Sequence, residues 1–243
     1  MTLLRLKGIS RHYGGVVAVD NVDIAIEPGE IVGLMGANGA GKTTLFNLIA
    51  GNLRPSGGEI MLDDRRIDRL RPDQISRLGV ARAFQIVRPF SGLTVLENVA
   101  IGGLFGSARE RSISSAENAA REVLDEVGLG DRADDPAGAL TLAGHKRLEI
   151  ARALATRPRL LLLDEVMAGL TPVEVADALE IIRRLHRRYD LTIIVIEHVM
   201  RALMQLCERL VVLHHGAKIA EGSPDEVAND AGVIEAYLGS GKR

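Results

Sequence analysis

Residues 36–44 read Gly36-Ala37-Asn38-Gly39-Ala40-Gly41-Lys42-Thr43-Thr44, and this stretch constrains the fold more than any other. It satisfies G-x-x-x-x-G-K-[ST], the pattern of a loop that cradles phosphate. Glycine admits positive φ, so Gly36, Gly39 and Gly41 let successive backbone N–H groups converge on one small anion, with Asn38 and Thr44 inside the same loop. Lys42 is expected to reach the outer phosphates of a nucleotide, and the Thr43 hydroxyl to meet Mg2+. The flanks agree with this. Ile31-Val32-Gly33-Leu34-Met35 reads as a buried strand, and residues 43–50 as a helix whose N-terminus faces the anion.

Composition narrows the class. The chain has 243 residues, enough for one large core or a core with an attached lobe. With 47% hydrophobic and 26% charged residues it has the make-up of an ordinary globular protein. A net charge of −2 gives no reason to expect a nucleic-acid partner. No apolar run approaches the ~20 residues that cross a bilayer, and the first residues lack a secretory h-region. Cys207 is the only cysteine, so no disulfide framework is expected and a reducing cytoplasm is the natural setting. Cys207 itself reads as a half-buried helix residue.

Before the phosphate loop, residues 4–6 and 22–26 alternate as half-exposed strands. Between them Tyr13 sits in a Gly-rich stretch, where its ring either packs locally or stacks on a base. Past the loop, residues 59–62 form a strand and residues 72–78 a helix. The strand at 80–84 then delivers Gln85, whose amide can touch a metal ion or a water. From residue 89 to 155 the pattern turns helical, with a capping box at Thr94-Val95-Leu96-Glu97 and a second helix over 115–127. This segment reads as a helical lobe inserted into an α/β core.

The core resumes at Leu160-Leu161-Leu162-Leu163, which suits a parallel strand buried on both faces. Asp164 and Glu165 follow at its carboxyl end, where α/β sheets gather ligands. Thr171-Pro172-Val173-Glu174 starts a helix with N-cap, N1 proline and N3 glutamate in place. Its arginines Arg183, Arg184, Arg187 and Arg188 read as a solvated face. Residues 192–196 form another buried strand, ending at Glu197-His198. Taken together these groups describe a hydrolytic site. Asp164 would hold Mg2+, Glu165 would polarise the water that attacks the γ-phosphate, and His198 would hydrogen-bond that phosphate.

Over essentially its full length the chain resembles the ABC-transporter ATPases. The resemblance implies an α/β fold: a P-loop NTPase core with a parallel sheet, N-terminal antiparallel strands and an inserted helical lobe. The chain is then one nucleotide-binding domain, 1–243, with a core subdomain at 1–88 and 156–243 and a helical subdomain at 89–155. Residues 36–44 become the Walker A loop and 160–164 the Walker B strand. Glu165 becomes the catalytic carboxylate, Gln85 the Q-loop residue, His198 the switch histidine and Tyr13 the adenine-stacking residue. Arg147-Leu148-Glu149-Ile150-Ala151-Arg152-Ala153-Leu154 anchors the signature region and puts Leu140-Thr141-Leu142-Ala143-Gly144 in the signature slot. There Thr141 stands for the usual serine and keeps its hydroxyl. Ala143 stands where a second glycine is expected, at a cost of ~1–2 kcal/mol if the backbone is left-handed. Gly144 replaces the glutamine, Val166 the usual proline, and Thr171 an aspartate common in the D-loop.

Within the family the chain is most similar to the ATP-binding subunits of branched-chain amino-acid importers. The resemblance is carried by residues 83–90 and 147–152, Ile196-Glu197-His198 and the terminal Ala236-Tyr237-Leu238-Gly239. Lipopolysaccharide-export ATPases share that ending and are the alternative. The resemblance implies ATP and Mg2+ as ligands, transmembrane permease subunits as partners, and a second ATPase chain, identical or a sibling. It places the chain in the cytoplasm on the inner face of the membrane, touching the membrane only through the permease. By the same resemblance, the apolar stretch holding Ile86, Val87, Phe90, Leu93 and Leu96 meets the permease; the residues alone also allow lobe core.

Overall fold

The computed structural model describes residues 2–86, 88–107 and 110–238; the expectations on Val87 and Gly239 lie outside them. Contacts divide the chain into two units, Met1–Pro72 with Ile194–Arg243, and Asp73–Ile193.

The first unit begins with β1 (Leu4–Tyr13) and β2 (Val16–Ile26), an antiparallel hairpin, followed by β3 (Ile31–Met35) and α1 (Lys42–Ile49). β4 (Gly57–Leu62) and β5 (Arg65–Arg66) complete a four-stranded antiparallel sheet of order β2-β1-β4-β5. The first residues of β1 alternate buried and exposed, as a strand with one wet face must. All five residues of β3 are buried instead, which explains its unbroken apolar run. Leu6, Ile24, Leu34, Phe46 and Ile194 close the core of this unit beneath α1.

The second unit holds α2 (Pro72–Arg77, from its second residue), β6 (Val80–Ala83), α3 (Val95–Phe105), α4 (Ile113–Glu126), α5 (Leu142–Ala155), β7 (Leu160–Asp164) and α6 (Pro172–Tyr189). β6 and β7 run parallel. The helical run at 89–155 lies wholly inside this unit, with α3, α4 and α5 packed on one another. α3 starts where the capping box predicts: Thr94 accepts from the Glu97 N–H, and the Glu97 carboxylate accepts from the Thr94 N–H. β8 (Thr192–Ile196) straddles the division between the units.

The chain then adds α7 (Met200–Leu206), β9 (Arg209–His214), β10 (Ala217–Gly222), α8 (Pro224–Ala228) and α9 (Ala231–Leu238). β9 pairs parallel with β3 and antiparallel with β10. Among the described residues no helix is long and apolar enough to cross a membrane.

Several local expectations shift. β1 runs on to Tyr13, so that residue ends a strand rather than lying between the two strands. Cys207 is buried at the C-cap of α7, not half-buried within a helix. Arg184 and Arg188 are partly solvated but both reach the Glu126 carboxylate, at 3.5 and 3.1 Å.

Candidate functional site

In the first unit the phosphate loop joins β3 to α1. Gly36, Gly39 and Gly41 have φ of 151°, 80° and 103°, all outside the range that L side chains adopt readily. Two of them are also pinned by close packing. A Cβ on Gly36 would lie 2.4 Å from the Leu213 carbonyl oxygen, and one on Gly41 2.4 Å from that of Ala18. The turn at His215-Gly216 braces the loop, with Gly216 N–H donating to Ala40 O at 3.1 Å. Gly41 is the N-cap of α1 and brings no side-chain cap, so no cap side chain covers the helix N-terminus that faces the loop. Lys42 is buried, and its Nζ donates to the carbonyls of Gly36 at 2.6 Å and Ala37 at 3.1 Å. The ammonium is thereby held against its own loop. Thr43 and the loop's outer residues Ala37, Asn38 and Gly39 are exposed, while Thr44 is half-buried.

Tyr13 and His198 belong to this unit too. The Tyr13 ring is 44% exposed, and the Arg11 guanidinium lies 4.6 Å from its centroid. Arg11 is itself tethered by Nη1 to the Arg54 carbonyl at 2.9 Å. His198 is exposed, two residues beyond the end of β8.

The second unit gathers the other candidates. Asp164 ends β7 with its side chain 3% exposed, and its Oδ2 accepts from Arg82 Nη2 on the neighbouring strand β6. Asp164 Oδ1 is buried without a hydrogen-bond partner among the described residues. Burying an acceptor in that state costs free energy; a cation would relieve it. Mg2+ typically takes one or two carboxylates and completes its shell with phosphates and water. The donor chemistry at Asp164 therefore fits the ion.

Glu165 follows in left-handed backbone, φ 51°, and is 9% exposed. Gln85, two residues beyond β6, donates from Nε2 to Glu165 Oε2. Lys146 of α5 reaches both residues through their backbones: its Nζ donates to Gln85 O at 2.8 Å and Glu165 O at 3.1 Å. Arg82 and Lys146 were not singled out from the sequence. The signals were there in weak form, a charge inside the buried strand Val80-Ala81-Arg82-Ala83 and a lysine in line with Ile150 and Ala153 on the apolar face of α5.

Thr141 is the N-cap of α5, its Oγ1 accepting from Gly144 N–H at 3.2 Å. That bond uses a lone pair and leaves the hydroxyl hydrogen uncommitted to it. The cap carries Ala143 directly into the helix, with no positive φ, so the strain anticipated for a left-handed Ala143 does not arise.

A glycine loop before a helix, and paired acids at the end of an apolar strand, define a nucleotide-hydrolysing cassette. Comparison with known proteins gives its family. Residues 19–168 match the family described as ABC transporter, and residues 217–243 the branched-chain amino acid ATP-binding cassette transporter. The chain is 40% identical to the high-affinity branched-chain amino acid transport ATP-binding protein LivG of Escherichia coli K12, covering 98% of each. It is 34% identical to the lipopolysaccharide export system ATP-binding protein LptB of the same organism, again over 98% of each. Among solved structures, the ADP conformation of MJ1267, an ATP-binding cassette of an ABC transporter, superposes with a TM-score of 0.88 at 30% identity, covering 98% of this chain and 99% of that one. A dimer of the cassette MJ0796 bound to ADP and Pi gives 0.81 at 26% identity, covering 91% and 98%. The chain belongs to the ABC transporter family and is one of its ATP-binding subunits, an ATPase. Its sequence groups it with the branched-chain amino acid transport ATPases, ahead of the lipopolysaccharide-export protein.

Proposed function

We propose that this ATPase powers the uptake of branched-chain amino acids from the inner, cytoplasmic face of the membrane, bound to transmembrane permease subunits. The observation that carries this reading is the match of residues 217–243 to the branched-chain cassette, joined to the full-length likeness to LivG. In its support, Phe84, Ile86 and Phe90 are all about half exposed or more, three apolar side chains close in sequence where the chain enters the helical subdomain, 89–155. Phe90 is nonetheless fixed: its N–H donates to Asn98 Oδ1, its carbonyl accepts from Asn98 Nδ2, and Arg152 lies 5.2 Å from the ring. Exposed yet held, Phe90 suits a contact with the permease.

The roles follow from the chemistry of the residues. Gly36, Asn38, Gly39, Gly41, Lys42, Thr43 and Thr44 bind the phosphates of ATP, and Tyr13 stacks on adenine. Thr43, Gln85 and Asp164 would hold Mg2+, which when bound offsets charge on the phosphate oxygens. Glu165 orients and deprotonates the attacking water, Gln85 holds the Glu165 carboxylate, and His198 hydrogen-bonds the γ-phosphate. Thr141 offers its hydroxyl to the γ-phosphate held by a second ATPase chain, identical or a sibling. The core subdomain in this scheme is 1–88 with 156–243.

Uptake of radiolabelled leucine, isoleucine and valine tests the assignment. A strain lacking the gene should lose uptake, regain it with the wild-type chain, and stay deficient with Phe90→Ala despite near-normal basal ATPase activity. Undiminished uptake in the deletion strain would overturn the solute assignment. Equal loss of uptake and ATPase activity in Phe90→Ala, or a fall in its thermal stability, would make Phe90 lobe core instead.

A further inference from the structure

Lys146 is 5% exposed, and the ammonium it carries into the second unit must be held by acceptors there. Two of those acceptors are the backbone carbonyls of Gln85 and Glu165, at 2.8 and 3.1 Å. The same two residues are joined a second time through their side chains, Gln85 Nε2 donating to Glu165 Oε2. One cation therefore closes a ring that includes the carboxylate read above as the general base. Glu165 also has an unusual backbone. Its φ of 51° lies in the left-handed region, which a side chain larger than glycine enters only where surrounding contacts impose it. Those contacts are visible: the Glu165 carbonyl accepts from Lys146 and from the Ala168 N–H at 3.2 Å.

We propose that Lys146 is a positioning residue for ATP hydrolysis, holding Glu165 in its left-handed turn and Gln85 beside it so that the Glu165 carboxylate keeps its aim at the attacking water. The proposal rests on the reading of Glu165 as the catalytic carboxylate. A lysine suits the task because its ammonium carries several donors on one atom and can serve two carbonyls at once. Lys146 also sits on α5, whose first turn is capped by Thr141. Lys146 thereby ties that helix to the backbone of Gln85 and Glu165.

Lys146→Met keeps the length of the side chain and removes its donors; Lys146→Arg restores them. Turnover and ATP affinity are measured for both, for Glu165→Gln, and for the double variant Lys146→Met/Glu165→Gln by single turnover. Lys146→Met should lower kcat on the order of 10- to 100-fold, the scale of a misplaced catalytic group, with the dissociation constant for ATP unchanged within about twofold. Lys146→Arg should recover most of the loss. The double variant should be no slower than Glu165→Gln alone, because both changes act on one carboxylate. Wild-type turnover in Lys146→Met would overturn the proposal, and so would losses that multiply in the double variant. Should Lys146→Met fail to fold, Lys146→Gln is read by the same criteria. Wild-type turnover in Glu165→Gln would remove the underlying reading; an inactive Glu165→Gln beside an unimpaired Lys146→Met would remove the proposal alone.

Discussion

One ammonium separates a nucleotide site from a glycine-rich turn. Lys42 lies buried against the carbonyls of Gly36 and Ala37, already out of bulk water at the phosphate loop. A charge-assisted hydrogen bond contributes roughly 1.5–3 kcal/mol, so Lys42→Ala should weaken ATP binding on the order of 10- to 100-fold in calorimetry. Unchanged affinity would contradict the loop assignment. Cys207 gives a second residue-scale test. Burial pushes its thiol up from 9.0 to about 12. The raised value means that the folded state favours the protonated thiol; this contribution is complete below pH 9 and is lost as pH rises toward 12. A disulfide reagent at pH 8 should leave the native thiol unmodified and label it fast in denaturant. Quick labelling of the native chain would show that the site opens. Residues whose proposed chemistry requires a fixed type and spacing, such as Lys42, Asp164 and Glu165, could be named as candidates from the sequence, and the structure places them in the loop and at the strand end expected of them. Lys146 could not be so named, because its partners are backbone carbonyls, which carry no residue identity.

Among the elements, α6 has a fully specified start, as α8 does. Thr171 accepts from Glu174 N–H at 3.3 Å, and the Glu174 carboxylate accepts from the Thr171 N–H at 2.8 Å, with Pro172 at N1. Thr171→Ala should cost about 1 kcal/mol, a fall of roughly 2–4 °C in thermal midpoint for a chain of this size. The Thr171 backbone N–H, and then its hydroxyl, hold the Glu174 carboxyl below its usual 4.5. That part of the cap is therefore present above the unfolded value and is lost as pH falls through the lower folded one. The thermal penalty of Thr171→Ala should shrink in acid. An unaltered midpoint with reduced ATPase activity would show that Thr171 serves the D-loop rather than the helix. Caps, buried strands and apolar periodicity made most of the elements readable in advance. The exceptions have physical causes. β5 is two residues, Arg65–Arg66, created by pairing with β4 rather than by its own pattern. Ala143 looked strained against the family pattern, but Thr141 starts the helix early enough to absorb it.

For the whole molecule, the proposed function requires that ATP join this cassette to another across a composite site. The signature slot departs from the family pattern at Ala143 and Gly144, yet it retains a hydroxyl at Thr141 and a helix N-terminus behind it. Those features are what a γ-phosphate from a second chain would meet. Glu165→Gln keeps the shape and hydrogen bonding of the side chain while losing its basicity, so ATP should bind and persist. Light scattering of Glu165→Gln with and without ATP is the direct measurement. An ATP-dependent dimer is expected, formed by the variant alone or on adding a sibling ATPase, and abolished by Thr141→Arg. A variant that binds ATP yet remains monomeric under both conditions would contradict it.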